Sequence, residues 1–332
     1  MTTFEQGTET EFDHHSAEYA DHYPAIYAEL RRECPVAHTS AHGGFWVISR
    51  YDDVVAAAKD DATFASAHEV NGVKPLGITI PPAPLPSYPI EMDPPECNGY
   101  RKVLNPLFSP GVSKAWEPRL HYWVDACLDQ VIERGSFDIV SDLANPVPSL
   151  FTCEFLGLPI ENWREYADVF HELIYTPPDE QEGILQRYLT MMGGVWQYIV
   201  ERRDDPRDDV LSALLAAEVD GQPLSNEMVF SIVHLIMAGG FDTTTAVAAS
   251  ALIYLADHPE QRRRLLDDPQ LIPQACEEFL RYFTPQQALA RTVTKPVTIN
   301  GIDLEPGERV LLSWASANRD EAVFENPEEV VL

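Results

Sequence analysis

Residues 225–257 read SNEMVFSIVHLIMAGGFDTTTAVAASALIYLAD, and the fold follows from this stretch. Ser225 is an N-cap candidate, Glu227 lies in the first turn, and His258 with Pro259 closes the run. About 32 helical residues at 1.5 Å each span about 48 Å, enough to cross a whole molecule of this size. Apolar side chains face every direction, from Met228, Val229 and Phe230 through Ile236 and Met237 to Val247, Leu252 and Leu255, so a buried central helix is predicted. Its middle, Ala238, Gly239, Gly240, Phe241, Asp242, Thr243, Thr244, Thr245, breaks the pattern. Glycines and threonines are poor helix formers, and an acid inside an apolar helix must find partners. Thr243 follows Gly239 by four positions, so its hydroxyl can capture that carbonyl, while the bare Gly239 and Gly240 let a flat ligand approach. A kink with a satisfied acid, or close helix packing through the glycines, accounts for the same residues. An acid beside an alcohol in a dry helix is also a means of moving protons, a task worth about 10²- to 10⁴-fold in rate.

Working outward, apolar residues at three- and four-residue spacing predict helices near 113–133, 141–156, 161–175, 181–203, 260–266 and 271–283, with prolines at their breaks. The pattern turns to alternation at 45–49 and again at 297–304, where Asn300 and Gly301 form a tight hairpin turn; Glu305 to Glu308 make a second turn into 310–312. Eight prolines between Pro75 and Pro95 exclude a helix or central strand there and predict a long, stiff loop. The fold class is mainly α with a small β part, and without repeats or linkers the chain reads as a single domain over 1–332.

Lys and Arg number 23 against 53 Asp and Glu, a formal charge of −30 with no basic stripe, which argues against nucleic acid and anionic membrane as partners. The amino terminus has no charged-then-apolar leader and no apolar stretch approaches about 20 residues, so a cytoplasmic location without membrane contact is expected. Cys34, Cys97, Cys127, Cys153 and Cys276 are scattered without a CxxC pair, which points to free thiols rather than disulfides or a zinc site.

Gly239–Thr244 resembles the oxygen-activation motif of the cytochrome P-450 (haem-thiolate monooxygenase) superfamily, in its soluble bacterial form. The resemblance implies that Asp242 and Thr243 are catalytic and deliver protons to dioxygen, and that Ala238, Gly239 and Gly240 lie against haem b. Glu278 to Arg281 is similar to the family's structural Glu-x-x-Arg helix, although Glu29, Glu161 and Glu260 repeat that spacing here, so the pattern carries weight only through its position. Arg291 resembles the arginine that holds one haem propionate, and 93–109, with Arg101, resembles the segment that holds the other. A dianionic cofactor in an acidic protein needs such local cations. Many relatives have histidine where Cys97 stands, and many have arginine where Glu329 stands, so a partner of the Glu278–Arg281 pair is expected to be missing or displaced. The proline-rich stretch corresponds to the family's variable loop over the substrate, which gives Ile78 and Tyr88 a substrate role. The likeness runs from about Tyr27 to Pro327; the conjunction of motifs makes it specific.

The family continues with a loop that presents a cysteine thiolate to the iron and with a final helix. None of the five cysteines has that context, so the expected fold is incomplete at its carboxy end, no iron ligand is present in 1–332, and the chain by itself binds haem weakly and does not hydroxylate. Whether this reflects a truncated gene or a fragment is left open by the residues. The complete family member inserts one oxygen atom from O2 into an apolar small molecule, with electrons from NAD(P)H through a ferredoxin and ferredoxin reductase. The competing class is a non-catalytic helical ligand-binding protein or scaffold remnant in which Asp242 is a satisfied core acid.

Overall fold

The computed structural model describes residues 9–83 and 85–332. Pro84, one of the eight prolines above, and the first eight residues of the polar amino terminus lie outside the described residues. The chain groups into two compact units: residues up to Pro86 with Ile90–Pro94 and Leu255–Leu332 form the first, and Ser87–Pro89 with Pro95–Tyr254 form the second.

The first unit is built on a five-stranded sheet in the order Val36–Thr39, Phe45–Ile48, Arg309–Ser313, Ala288–Val293, Phe64–Ala65. The second and third strands pair in parallel, Val47 opposite Leu311, and the other pairs are antiparallel. Side chains of a strand alternate between faces, and here both faces are covered. Phe45, Val47, Ala290 and Leu311 join Tyr19, Tyr27 and Leu30 of the helix Ala17–Glu33 on one side. Ile48, Val293, Val310 and Leu312 join Val54, Ala57 and Leu304 on the other. The expected hairpin forms as Val297–Ile299 against Ile302–Leu304, with Asn300 and Gly301 both at positive φ (50° and 80°), the backbone that an Asn-Gly turn supplies.

The second unit is helical: Glu96–Leu104, Pro110–Asp129, Pro146–Leu156, Trp163–Tyr175, Glu182–Asp204 and Val210–Leu215 accompany the central helix, which runs Asn226–Asp257 and reaches the unit boundary at Tyr254. Ser225 caps it, its Oγ accepting the Met228 N–H at 3.2 Å. Among its described residues the proline-rich stretch is turns and bends without helix or regular strand, as its composition requires.

Two expectations need correcting. The central helix is long and apolar enough to cross a bilayer, with a mean hydropathy of 1.3 over its most apolar window. Reading the sequence for unbroken apolar runs missed this, because Gly239, Gly240 and Asp242 interrupt the run while the window averages across them. Nor is the helix buried throughout. Val229, Val233, Met237 and Phe241 are fully inaccessible, but Leu252 and Ile253 are 37% and 48% exposed. Leu252 borders an apolar groove, described below, that the second unit leaves open along this helix.

Candidate active site

The interrupted segment of the central helix stays helical through Asp242 to Thr245. The Thr243 hydroxyl donates to the Gly239 carbonyl at 2.8 Å, the capture expected from the four-residue spacing, and Thr245 does the same to Phe241 at 2.6 Å. The two glycines differ. A Cβ at Gly239 would meet nothing within 4 Å, whereas one at Gly240 would lie 2.4 Å from Thr152 Oγ1. The missing side chain at Gly240 therefore admits the helix Pro146–Leu156, and the missing side chain at Gly239 faces open space.

Asp242 is buried and has a partner that the sequence reading did not foresee. Its Oδ1 lies 2.6 Å from Nδ1 of His171 on the helix Trp163–Tyr175, and His171 Nε2 lies 3.1 Å from Oδ1 of Asn145. An amide oxygen only accepts, so Nε2 carries a proton, and the second proton of the pair sits between Nδ1 and the carboxylate. Imidazolium with carboxylate, or imidazole with carboxylic acid, differ by the position of that one proton. Tyr175 adjoins the pair; burial and the Asp242 charge both raise its phenol above the ordinary tyrosine range. His171 and Asn145 precede Asp242 by 71 and 97 positions, so no local motif could announce them.

Nearer the helix start, Ser231 Oγ accepts the Tyr88 backbone N–H at 2.8 Å, and His234 lies 3.3 Å from Ser87 Oγ and 2.6 Å from the Tyr188 hydroxyl. Burial pushes the His234 imidazole down to about 4. These bonds fasten Ser87–Pro89 to the central helix within the second unit. Arg101 stands exposed on the helix Glu96–Leu104 of the same unit. Ala238, Gly239 and Gly240 lie on the central helix about one turn after His234. The groove along this helix has a volume of about 1010 Å³ and is lined by Gly239, Gly240 and Thr244 beside Trp116, Phe151 and Phe155.

In the first unit, Glu278 and Arg281 close a bidentate pair with both N–O distances at 2.7 Å. Of the four Glu-x-x-Arg spacings in the sequence, this is the one that forms an ion pair among the described residues. The expected loss of a side-chain partner at Glu329 is made good by backbone: Arg281 donates to the carbonyls of Asn318, Pro327 and Glu329, and Glu278 accepts the Val331 N–H at 2.7 Å. Burial disfavours the Glu278 carboxylate, but Arg281 and that N–H outweigh it and hold its pKa below the usual range. Ile78 is buried, its carbonyl accepting the Ala290 N–H at 2.7 Å.

Arg291, on the strand Ala288–Val293, makes no ion pair among the described residues; its guanidinium donates to the Ala290 carbonyl at 2.8 Å. Burial lowers its pKa, with Asp93 opposing. Arg309 on the neighbouring strand is lowered by burial to about 10, Glu91 opposing and Arg291 adding to the shift, and its buried Nε has no hydrogen-bond partner among the described residues. Two half-buried guanidiniums that form no ion pair among the described residues suit an anionic group such as a propionate.

The sequence model of the cytochrome P-450 family matches residues 44–331. The chain belongs to that family. Among its relatives, cytochrome P-450 130 of Mycobacterium tuberculosis is 34% identical over 313 residues, covering 90% of this chain and 76% of the relative. Nocardicin C N-oxygenase of Nocardia uniformis is 32% identical over 307 residues, covering 91% and 76%. Among solved structures, the bacillaene polyketide synthase P-450 PksS of Bacillus subtilis superposes with a TM-score of 0.85 at 25% identity, covering 96% of this chain and 81% of that one. This P-450 is therefore a mainly helical, haem-dependent monooxygenase by family, an oxidoreductase, and the likeness spans nearly all of its length.

Proposed function

We propose that this P-450 inserts one oxygen atom of O2 into an apolar small molecule, drawing electrons from NAD(P)H through a ferredoxin and its reductase, in the cytoplasm. The cofactor is haem b; when bound it supplies the iron at which O2 is reduced and cleaved. Gly239 and Gly240 offer it backbone without side chains, with the small Ala238 beside them, and Arg291 and Arg101 serve its propionates, a role supported by the half-buried setting of Arg291 without an ion pair among the described residues. Asp242 and Thr243 are the proton-handling residues. The observation that carries this reading is the 2.6 Å contact between Asp242 Oδ1 and His171 Nδ1, one residue before Thr243. In the imidazole–carboxylic acid form Asp242 carries the shared proton and can pass it on, and solvent returns a proton to the pair before the next transfer. Thr243 donates next, exchanging its bond to the Gly239 carbonyl for one to the substrate side. Ile78 and Tyr88 contribute to substrate recognition, and Glu278 with Arg281 pins the segment around Asn318 to Val331. All of these belong to one cytochrome P-450-like domain.

In a form that carries the thiolate loop, Thr243→Ala should release peroxide at the expense of product, by about 10²-fold in product rate if its proton transfer is of the usual worth. Unaltered coupling of NAD(P)H to product would remove Thr243 from the mechanism. The 332-residue chain alone offers four buried cysteines and one exposed, Cys276, all free thiols. It should bind haem weakly and give no thiolate-type Soret band when reduced under CO. The second reading, a non-catalytic helical ligand-binding protein, is favoured by the same His171 bond taken as mere satisfaction of a core acid; a thiolate Soret band and turnover in a form that carries a thiolate loop exclude it.

A further inference from the structure

Three histidines converge in the first unit, on elements that carry none of the residues above. His14 and His15 form the turn ahead of Ser16, whose Oγ accepts the Tyr19 N–H at 3.1 Å to cap the helix Ala17–Glu33. His42 sits in the turn Ala41–Gly43 that joins the first two strands of the sheet order, held at a φ of 51°. The ring centroids are 4.3 Å (His14 to His15), 5.0 Å (His15 to His42) and 5.6 Å (His14 to His42) apart. Each ring can bring one nitrogen within 4.8 Å of the other two.

The far nitrogens decide what the near ones can do. His14 Nε2 and His15 Nε2 both reach the Ile80 carbonyl, at 2.8 and 2.9 Å, and His42 Nε2 reaches Asp13 Oδ1 at 2.8 Å. A carbonyl and a carboxylate only accept, so all three Nε2 atoms carry their protons. In the neutral rings every Nδ1 is then a lone pair. That of His14 is buried and has no hydrogen-bond partner among the described residues, an arrangement that costs free energy unless something fills it. Imidazoles whose outer N–H is taken by a backbone carbonyl or a carboxylate are oriented as metal ligands are. Three lone pairs, no thiolate and one exposed ring for entry match a borderline divalent cation such as Zn²⁺, with a fourth position left to water.

We infer that His14, His15 and His42 form a Zn²⁺ site through their Nδ1 atoms, with Asp13 and the Ile80 carbonyl orienting the rings. Zn–N bonds of about 2.0–2.1 Å place tetrahedral ligands about 3.3 Å apart, and side-chain rotation at the three histidines would bring the Nδ1 atoms to that separation. The bound ion joins the turn before the first helix to the turn between two strands and, through the ring N–H groups, holds Ile80 of the proline-rich stretch. Its role is a staple that fixes that part of the stretch. The cysteine-based reading of the sequence passed over this site because His42 lies 27 positions beyond His15, with no metal-binding spacing to mark it.

The test titrates Zn²⁺ into the 332-residue chain against a chromophoric chelator and follows thermal unfolding with and without the ion, in a Cys276→Ser background that removes the exposed thiol. One Zn²⁺ per chain and a raised Tm are expected, since an ion that binds only the folded state stabilises it. Asp13→Asn should weaken binding by about 10- to 100-fold. His42→Gln, at an exposed turn, should abolish both the binding and the Tm shift with an unaltered far-UV spectrum, and His22→Gln should change neither. Co²⁺ substituted at the site should give tetrahedral visible bands lost in His42→Gln. The inference is overturned if Zn²⁺ leaves Tm unmoved, or if His42→Gln binds as the parent does.

Discussion

At the scale of single residues, Gly239 and Gly240 show how neighbours of one type can be present for opposite reasons. A helical glycine costs about 1 kcal/mol relative to alanine, so each must be offset by something a side chain would prevent. For Gly240 that something is Thr152, a stiff β-branched neighbour whose Oγ1 would sit 2.4 Å from a new Cβ. For Gly239 nothing in the protein stands in the way. Gly239→Ala should therefore raise the stability of the ligand-free chain by up to about 1 kcal/mol, while Gly240→Ala should lower it by about 1–3 kcal/mol through overpacking. Urea midpoints of the two variants against the parent check this. Equal shifts would mean that the two positions are not distinguished by packing.

Between elements, the Glu278–Arg281 pair is where a helix holds a segment that has little regular structure of its own. Both side chains are mostly buried (14% and 11% exposed), and Arg281 also ties down the carbonyls of Asn318, Pro327 and Glu329. Removing the cation strands a buried carboxylate and three acceptors at once, so Arg281→Ala should cost about 3–5 kcal/mol. Limited proteolysis should show cleavage appearing first between Asn318 and Val331; a cut pattern like the parent's would contradict the tie. The helix itself was legible in the sequence, because an apolar stripe of helical period needs only its own residues. The exit route of the arginine was not. The loss of a partner at Glu329 could be expected from the resemblance, but its replacement by backbone carbonyls depends on where a chain with no periodic pattern comes to lie. The same division runs through the site. Thr243 and Gly239, four apart on one helix, could be paired by counting, whereas His171 and Asn145 approach Asp242 only through the packing of three helices, and packing leaves no periodic trace. The exposed end of the central helix was misread for a related reason: apolar composition on all sides says that a helix can be buried, not that something covers it.

For the molecule as a whole, two properties act against each other. The groove of about 1010 Å³ beside Phe151, Phe155, Ile236 and Leu252 presents contiguous apolar surface, and such surface promotes association. The net charge of −30 opposes it, since two copies approach as strongly like-charged bodies. The first effect is nearly independent of salt, and the second is screened over a Debye length that shrinks from about 30 Å at 0.01 M to about 3 Å at 1 M. The 332-residue chain should accordingly sediment as a monomer at low ionic strength and self-associate as salt rises, the reverse of what an ion-paired interface would do. A charged residue placed in the groove, Phe155→Glu or Leu252→Glu, should suppress the salt-induced species while leaving the low-salt monomer unaltered. Leu252 is the safer position, because it is already 37% exposed and its replacement strands no buried partner. Association that weakens with salt, or that persists in Leu252→Glu, would locate the contact on another surface.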